Sequence, residues 1–147
     1  MNRKWLEYFK AEAVNAASMS KDDRTKVGAV IFDEDDKVSV SSGWNDLPRG
    51  VLHKEGRNSA PLKYKMTSHA EISAIANAAR MGRATKNKSL YVTMFPCSLC
   101  AAAIINAGIS KVYSPKPDFN HQKYGEDFKI SLEMFTEASV EVVYEEQ

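Results

Sequence analysis

Two short groups of residues, His69-Ala70-Glu71 and Pro96-Cys97-Ser98-Leu99-Cys100, limit the folds open to this chain more than any other feature. Each sits where a helix begins, and their side chains are of metal-binding type, so the fold must bring two helix starts to one point. Pro96 has no N–H and a fixed φ, which suits the first turn of a helix, and the apolar run Ala101-Ala102-Ala103-Ile104-Ile105 behind it reads as helical. Cys97 and Cys100 then lie one turn apart on the same face. Unpaired N–H groups and the positive end of the helix dipole favour thiolates there, the form that binds metal. Thr67-Ser68 before His69, with Ile72, Ile75 and Ala79 at helical spacing after it, makes the other group the opening of a second helix.

A histidine and two thiolates fill three positions of a tetrahedral zinc site and leave the fourth to water, the open arrangement of a catalytic centre. Glu71, two residues from His69, is better placed to exchange a proton with that water than to act as a fourth ligand. Cys-x-x-Cys alone also fits a thioredoxin-like redox pair or a chance pair in a helix. A redox pair, however, has no need of His-x-Glu, and a closed zinc knuckle needs another Cys or His. The chain holds no further Cys, and its other histidines are His53 and His121. One catalytic Zn2+ per chain is therefore expected.

At 147 residues the chain makes one ordinary domain, 1–147, long enough for a sheet with helices packed on it. It lacks the run of roughly eighteen apolar residues that spans a membrane, and the opening Met1-Asn2-Arg3-Lys4-Trp5-Leu6-Glu7 is polar and amphipathic, unlike a signal peptide. A cytoplasmic location, where thiols stay reduced, and no membrane partner are expected. A formal net charge of +1 gives no basic footprint for nucleic acid, so no nucleic-acid partner is expected either. A small anionic ligand needs only a local basic pocket.

Trp5, Phe9, Ala13 and Ala16-Ala17 form a helical apolar stripe over residues 3–18, suited to packing on a sheet. Val27-Gly28-Ala29-Val30-Ile31-Phe32 and Lys37-Val38-Ser39-Val40-Ser41-Ser42 read as a hairpin joined by the acidic turn 33–36. A long polar loop with Pro48, Gly50, Gly56 and Pro61 then runs up to His69, and a loop of that length inside a compact domain is commonly functional. Ser89–Thr93 and Lys111–Ser114 are two more strands flanking the Pro-Cys helix, which implies a right-handed parallel crossover. A helix around Phe128, Ile130-Ser131-Leu132 and Phe135 precedes a last strand at Val140–Tyr144. The expected architecture is an α/β sandwich with a mixed sheet of about five strands.

His-x-Glu followed by Pro-Cys-x-x-Cys is the signature of zinc-dependent nucleobase deaminases. Further stretches are similar to the deoxycytidylate deaminases of the cytidine deaminase superfamily: Ser20-Lys21-Asp22 leading into Val27–Ile31, Gly43-Trp44-Asn45 with Pro48-Arg49-Gly50, Leu90–Thr93 through Phe95 to Cys100, and Ile104–Ile109. The resemblance covers nearly the whole chain. Phe95 agrees with the deoxycytidylate branch, since tRNA adenosine deaminases usually carry Glu there. What it implies is a three-layer cytidine deaminase-like sandwich with helices on both faces, and hydrolytic deamination of dCMP to dUMP and ammonia, supplying dUMP for thymidylate synthesis. It also implies zinc held by His69, Cys97 and Cys100, with Glu71 as base and acid in turn and the Ala70 amide fixing the base. Asn45 matches the family position that contacts the sugar, although a turn-forming Asn is the plain alternative. Arg24, on the loop that the family uses near the phosphate, leads Lys21, Lys26, Arg49 and Lys116 as phosphate ligand. Phe119 either covers the base as an aromatic lid or packs on the final helix.

Family members form homo-oligomers, often hexamers, and Trp5 and Trp44 are candidates for burial between chains. Regulated members read Gly-Tyr-Asn-Gly where this chain has Gly43-Trp44-Asn45-Asp46, and that loop helps to bind dCTP and dTTP. Asp46 sets a carboxylate near where a triphosphate effector with its Mg2+ would bind, an unfavourable like-charge contact with the phosphates, so dCTP is not expected to activate strongly and is a candidate substrate instead. The segment before His69 offers His53 but no Cys, so a second, structural zinc is not expected. Alternatives are a tRNA adenosine deaminase, a redox Cys-x-x-Cys protein and a non-catalytic zinc module.

Overall fold

The computed structural model describes residues 1–145. In chain order these form α1 (Arg3–Ala17), β1 (Gly28–Asp33), β2 (Val38–Trp44), α2 (Lys63–Met66), α3 (Ala70–Arg80), β3 (Ser89–Val92), α4 (Ser98–Asn106), β4 (Lys111–Pro115), α5 (Gly125–Glu137) and β5 (Glu141–Glu145). One sheet runs in the order β2-β1-β3-β4-β5. β1 is antiparallel to both β2 and β3, while β3, β4 and β5 are mutually parallel, with α4 and α5 as the crossovers. Among the described residues no helix is long and apolar enough to cross a membrane.

The unbroken apolar run of β1 follows from its place inside the sheet with helices on both faces. Ala29 and Ile31 face one core with Leu90, Val92, Val112 and the inner sides of α3, α4 and α5. Val30 and Phe32 face the other with Tyr91, Tyr113 and α1. Phe9 of α1 stacks on Phe32 with ring centroids 3.9 Å apart. Trp5 lies against this same core, half-buried, so its ring already has partners within its own chain. The result is a three-layer α/β/α sandwich. Strand β2 reaches further than its Lys37–Ser42 pattern predicts, ending at Trp44, and it carries a bulge: Ile31 pairs with Ser41 and Phe32 with Ser39, leaving Val40 over.

Gly43 explains how α3 comes to lie directly on β2. A Cβ there would stand 2.5 Å from both the Ala70 carbonyl oxygen and the Ala74 nitrogen, so only glycine allows the helix backbone so close. Gly43→Ala is expected to lower the unfolding free energy by about 2 to 3 kcal/mol, the upper range for overpacking, because backbone cannot step aside as a side chain can. Denaturant titration checks this; wild-type stability in the variant would contradict the contact. The long loop from Asn45 to Ser68 contains the single turn of α2, and its ends are tied by paired backbone bonds between Asp46 and Ser68 (2.8 and 3.2 Å). That closure sets His69 beside the exit of β2.

Candidate active site

Both ligand-bearing helices start with an unusual residue. His69 is the N-cap of α3 and Cys97 the N-cap of α4, and neither side chain makes a capping hydrogen bond. The usual Ser, Thr, Asp or Asn would turn inward to the helix amides. Here the cap side chains turn towards each other instead. His69 Nδ1 lies 3.2 Å from Cys100 Sγ and 3.6 Å from Cys97 Sγ, and the three ligand atoms fall within 4.8 Å of one another. Atoms held at roughly 2.0 to 2.3 Å by a tetrahedral zinc ion stand about 3.5 Å apart, so this donor set fits the ion. It is the metal-type cluster found among the described residues.

The electrostatics agree with that fit. Hydrogen bonds from Cys100 and His69 pull the Cys97 thiol down to about 4, against burial that opposes ionisation. Cys100 moves the other way, held protonated by its bond to the Cys97 sulfur and by burial. The pair thus sheds one proton readily and keeps the second until a cation takes its place. Glu71, in the first turn of α3, is 5% exposed. Burial, with the nearby Cys97 charge, raises its pKa to about 7, and its own backbone N–H opposes the rise. A carboxyl group tuned to neutrality can both take and give a proton near pH 7.

His69, Glu71 and Cys97 line one cavity of about 450 Å3, within the size range of small-molecule sites, while Cys100 is fully buried. Ala70 also lines it, and the amides of Ala70 and Glu71 are first-turn donors with no acceptor inside the helix. Arg24 is on the rim, whereas its rivals Lys21, Lys26, Arg49 and Lys116 are absent from the lining. Arg49 reaches Asn77 Oδ1 instead, at 3.3 Å in a separate groove beside Trp44 and Asp46. Asn45 lines the cavity and is also a structural latch: its Oδ1 accepts from Val27 N and its Nδ2 donates to the Thr25 carbonyl, both at 2.8 Å. Both polar atoms of the Asn45 side chain thus have partners on the segment before β1.

Phe119 does not line the cavity, so the lid reading of this residue is corrected. It packs edge-on against Phe95 at 6.2 Å and lies beside Leu132 of α5, the final helix, which is the other of its two sequence readings. The aromatic rings on the cavity are Tyr64 and Tyr124 at the rim and Phe95 and Phe128 below. Sequence reasoning missed Tyr64, Lys123, Tyr124, Asp127 and the ion pair of Asp22 with Lys63. Asp22 Oδ1 accepts from Arg24 N, Thr25 N and Lys63 Nζ at 2.8, 2.9 and 3.1 Å. Burial pushes the Asp22 pKa up, yet these donors outweigh it and hold the carboxyl below its ordinary range. The only signal for the missed groups was the pairing of a lysine with a tyrosine, in Lys63-Tyr64 and again in Lys123-Tyr124.

A mixed five-stranded sheet that presents His/Cys/Cys and a buried glutamate from two helix starts marks a hydrolytic deaminase. The family model described as the cytidine and deoxycytidylate deaminase zinc-binding region matches residues 3–115, and the chain belongs to that family. It is 42% identical over 146 residues to the uncharacterized deaminase in the luxG 3′ region of Aliivibrio fischeri, covering 98% of this chain and 95% of that protein. It is 40% identical over 114 residues to deoxycytidylate deaminase of Homo sapiens, covering 74% of this chain and 62% of the human protein's length, less than two thirds. Among solved structures, dCMP deaminase from the cyanophage S-TIM5 superposes with a TM-score of 0.76 at 25% identity, over 97% of this chain and 98% of that one.

Proposed function

We propose that this protein converts dCMP and water to dUMP and ammonia. The observation that carries the reading is the meeting of His69, Cys97 and Cys100 beside a carboxyl group poised near pH 7, at the base of a cavity with cations on its rim. The 40% identity to a deoxycytidylate deaminase supports the choice of substrate. His69, Cys97 and Cys100 would hold the zinc ion, which when bound supplies the Lewis acidity that brings the ionisation of water near neutrality. Glu71 takes one proton from the attacking water and passes it to ring N3. It then takes the second from the hydroxyl now on C4 and gives it to the amine as the C4–N bond breaks, leaving the C4 carbonyl and ammonia. The Ala70 amide orients the base. The dUMP formed would feed thymidylate synthesis.

A phosphate needs cations that are not already neutralised. Of the cavity cations, Lys63 is committed to Asp22 at 3.1 Å and Asp23 at 3.5 Å. Among the described residues Arg24 and Lys123 have no carboxylate within 4.0 Å, and Lys123 stands over the rings of Tyr124 (5.2 Å) and Tyr64 (5.9 Å). We assign phosphate recognition to these two. Arg24→Ala or Lys123→Ala is expected to raise KM for dCMP about 10- to 100-fold, the scale of one charge-assisted hydrogen bond, with little change for deoxycytidine. Equal losses on both compounds would make either residue structural. The reading as a whole is tested by ammonia release from cytidine, CMP, dCMP, dCTP with Mg2+ and a tRNA stem-loop. Preference for dCMP is expected, with dCTP a weaker substrate and no activator; turnover confined to the stem-loop would overturn it.

A further inference from the structure

Helix α4 begins with a thiol in the position that normally caps a helix, so its first N–H groups need an acceptor from elsewhere. The acceptor is Asp127. Its Oδ2 accepts from Ser98 N at 2.8 Å and its Oδ1 from Ser98 Oγ at 2.6 Å, a two-point grip on the residue that follows Cys97. A carboxylate is well suited there, because it satisfies an open amide and faces the positive end of the helix dipole.

Asp127 is itself held firmly. It lies in the first turn of α5, whose first residue, Gly125, is so close to the 119–120 backbone that a Cβ would stand 2.4 Å from the Phe119 carbonyl oxygen. Gly125 N donates to the His121 carbonyl at 2.9 Å, and buried Phe128 packs edge-on against Phe95 at 5.7 Å on the other side. The carboxylate is thus fixed from both directions, and both its oxygens are occupied by Ser98.

We infer that Asp127 is a positioning residue of the metal centre: through Ser98 it holds the first turn of α4 where the Cys97 and Cys100 sulfurs meet His69 Nδ1. The inference rests on the reading of those three residues as a zinc site. Groups that orient metal ligands from outside the coordination sphere typically change metal affinity 10- to 100-fold. Asp127 acts one residue away from its ligand, which places its effect near the lower end.

The test compares Asp127→Ala, Ser98→Ala and the double variant in the full chain. Ser98→Ala removes the hydroxyl donor of the two-point grip and leaves the amide bond and the carboxylate in place. Zinc affinity by chelator competition is expected to fall about ten-fold in Asp127→Ala, by less in Ser98→Ala, and in the double variant no further than in Asp127→Ala, since the two residues act through one contact. The visible spectrum of the cobalt-substituted protein should shift in all three. Wild-type zinc affinity and cobalt spectrum in Asp127→Ala, or losses that add fully in the double variant, would overturn the inference. If Asp127→Ala does not fold, Ser98→Ala decides: a wild-type affinity and spectrum in it would overturn the inference. A wild type that binds no zinc would instead overturn the metal-site reading, and the inference with it.

Discussion

Glu71→Gln is expected to lower kcat on dCMP by about 10^3- to 10^4-fold while zinc content and nucleotide affinity stay near wild type. Glu71 is buried at the start of α3, and burial raises its pKa to about 7, so both proton states are within reach at neutral pH. The reaction uses that property more than once, because one carboxyl group accepts the water proton and later delivers protons to N3 and to the departing amine. Glutamine keeps the volume and the hydrogen-bonding reach but cannot carry a proton. The expected loss is the upper range for general acid–base catalysis, since among the described residues the other carboxyl groups on the cavity are engaged elsewhere, Asp22 by Lys63 and the Arg24 and Thr25 amides. Asp127, which also lines the cavity, has both oxygens on Ser98. Steady-state kinetics with elemental analysis check the result; activity within ten-fold of wild type would remove Glu71 from this role.

Cys97→Ala is expected to have an equally large effect by a different route. The variant should fall from about one zinc ion per chain to traces, and its activity should not return when zinc is added. Because the Cys97 side chain makes no capping bond, its removal costs α4 no cap, and the loss is attributable to the missing ligand. Wild-type protein stripped by a chelator should recover activity with zinc. Activity in a zinc-free Cys97→Ala protein would contradict the metal-centred account.

Residue patterns carried the fold where they report burial directly. The two-sided apolar run of β1, the stripe of α1 and the paired motifs each state what they pack against, and the three layers follow from them. Boundaries moved where pairing extends a strand beyond its apolar alternation, as at Gly43-Trp44, which pair with Ala29 and Gly28 of β1 while α3 lies on Gly43. The zinc-ligand set was legible because both halves are compact in sequence and each opens a helix. The rim was not, because Lys63, Lys123 and Asp127 look like ordinary solvated charges until the loop closure at Asp46 and Ser68 and the start of α5 bring them to one cavity. Phe119 stays open between lid and packing in the sequence for the same reason: its neighbours give no hint of its edge-on contact with Phe95.

The most direct measurement is the reaction of zinc-loaded protein with dCMP in 18O-labelled water, following nucleotide and ammonia together. The account predicts dUMP carrying one labelled oxygen at C4 and ammonia in equal amount, and neither product from Glu71→Gln on the same time scale. Unchanged dCMP with full zinc occupancy, or ammonia released without label entering the ring, would contradict it.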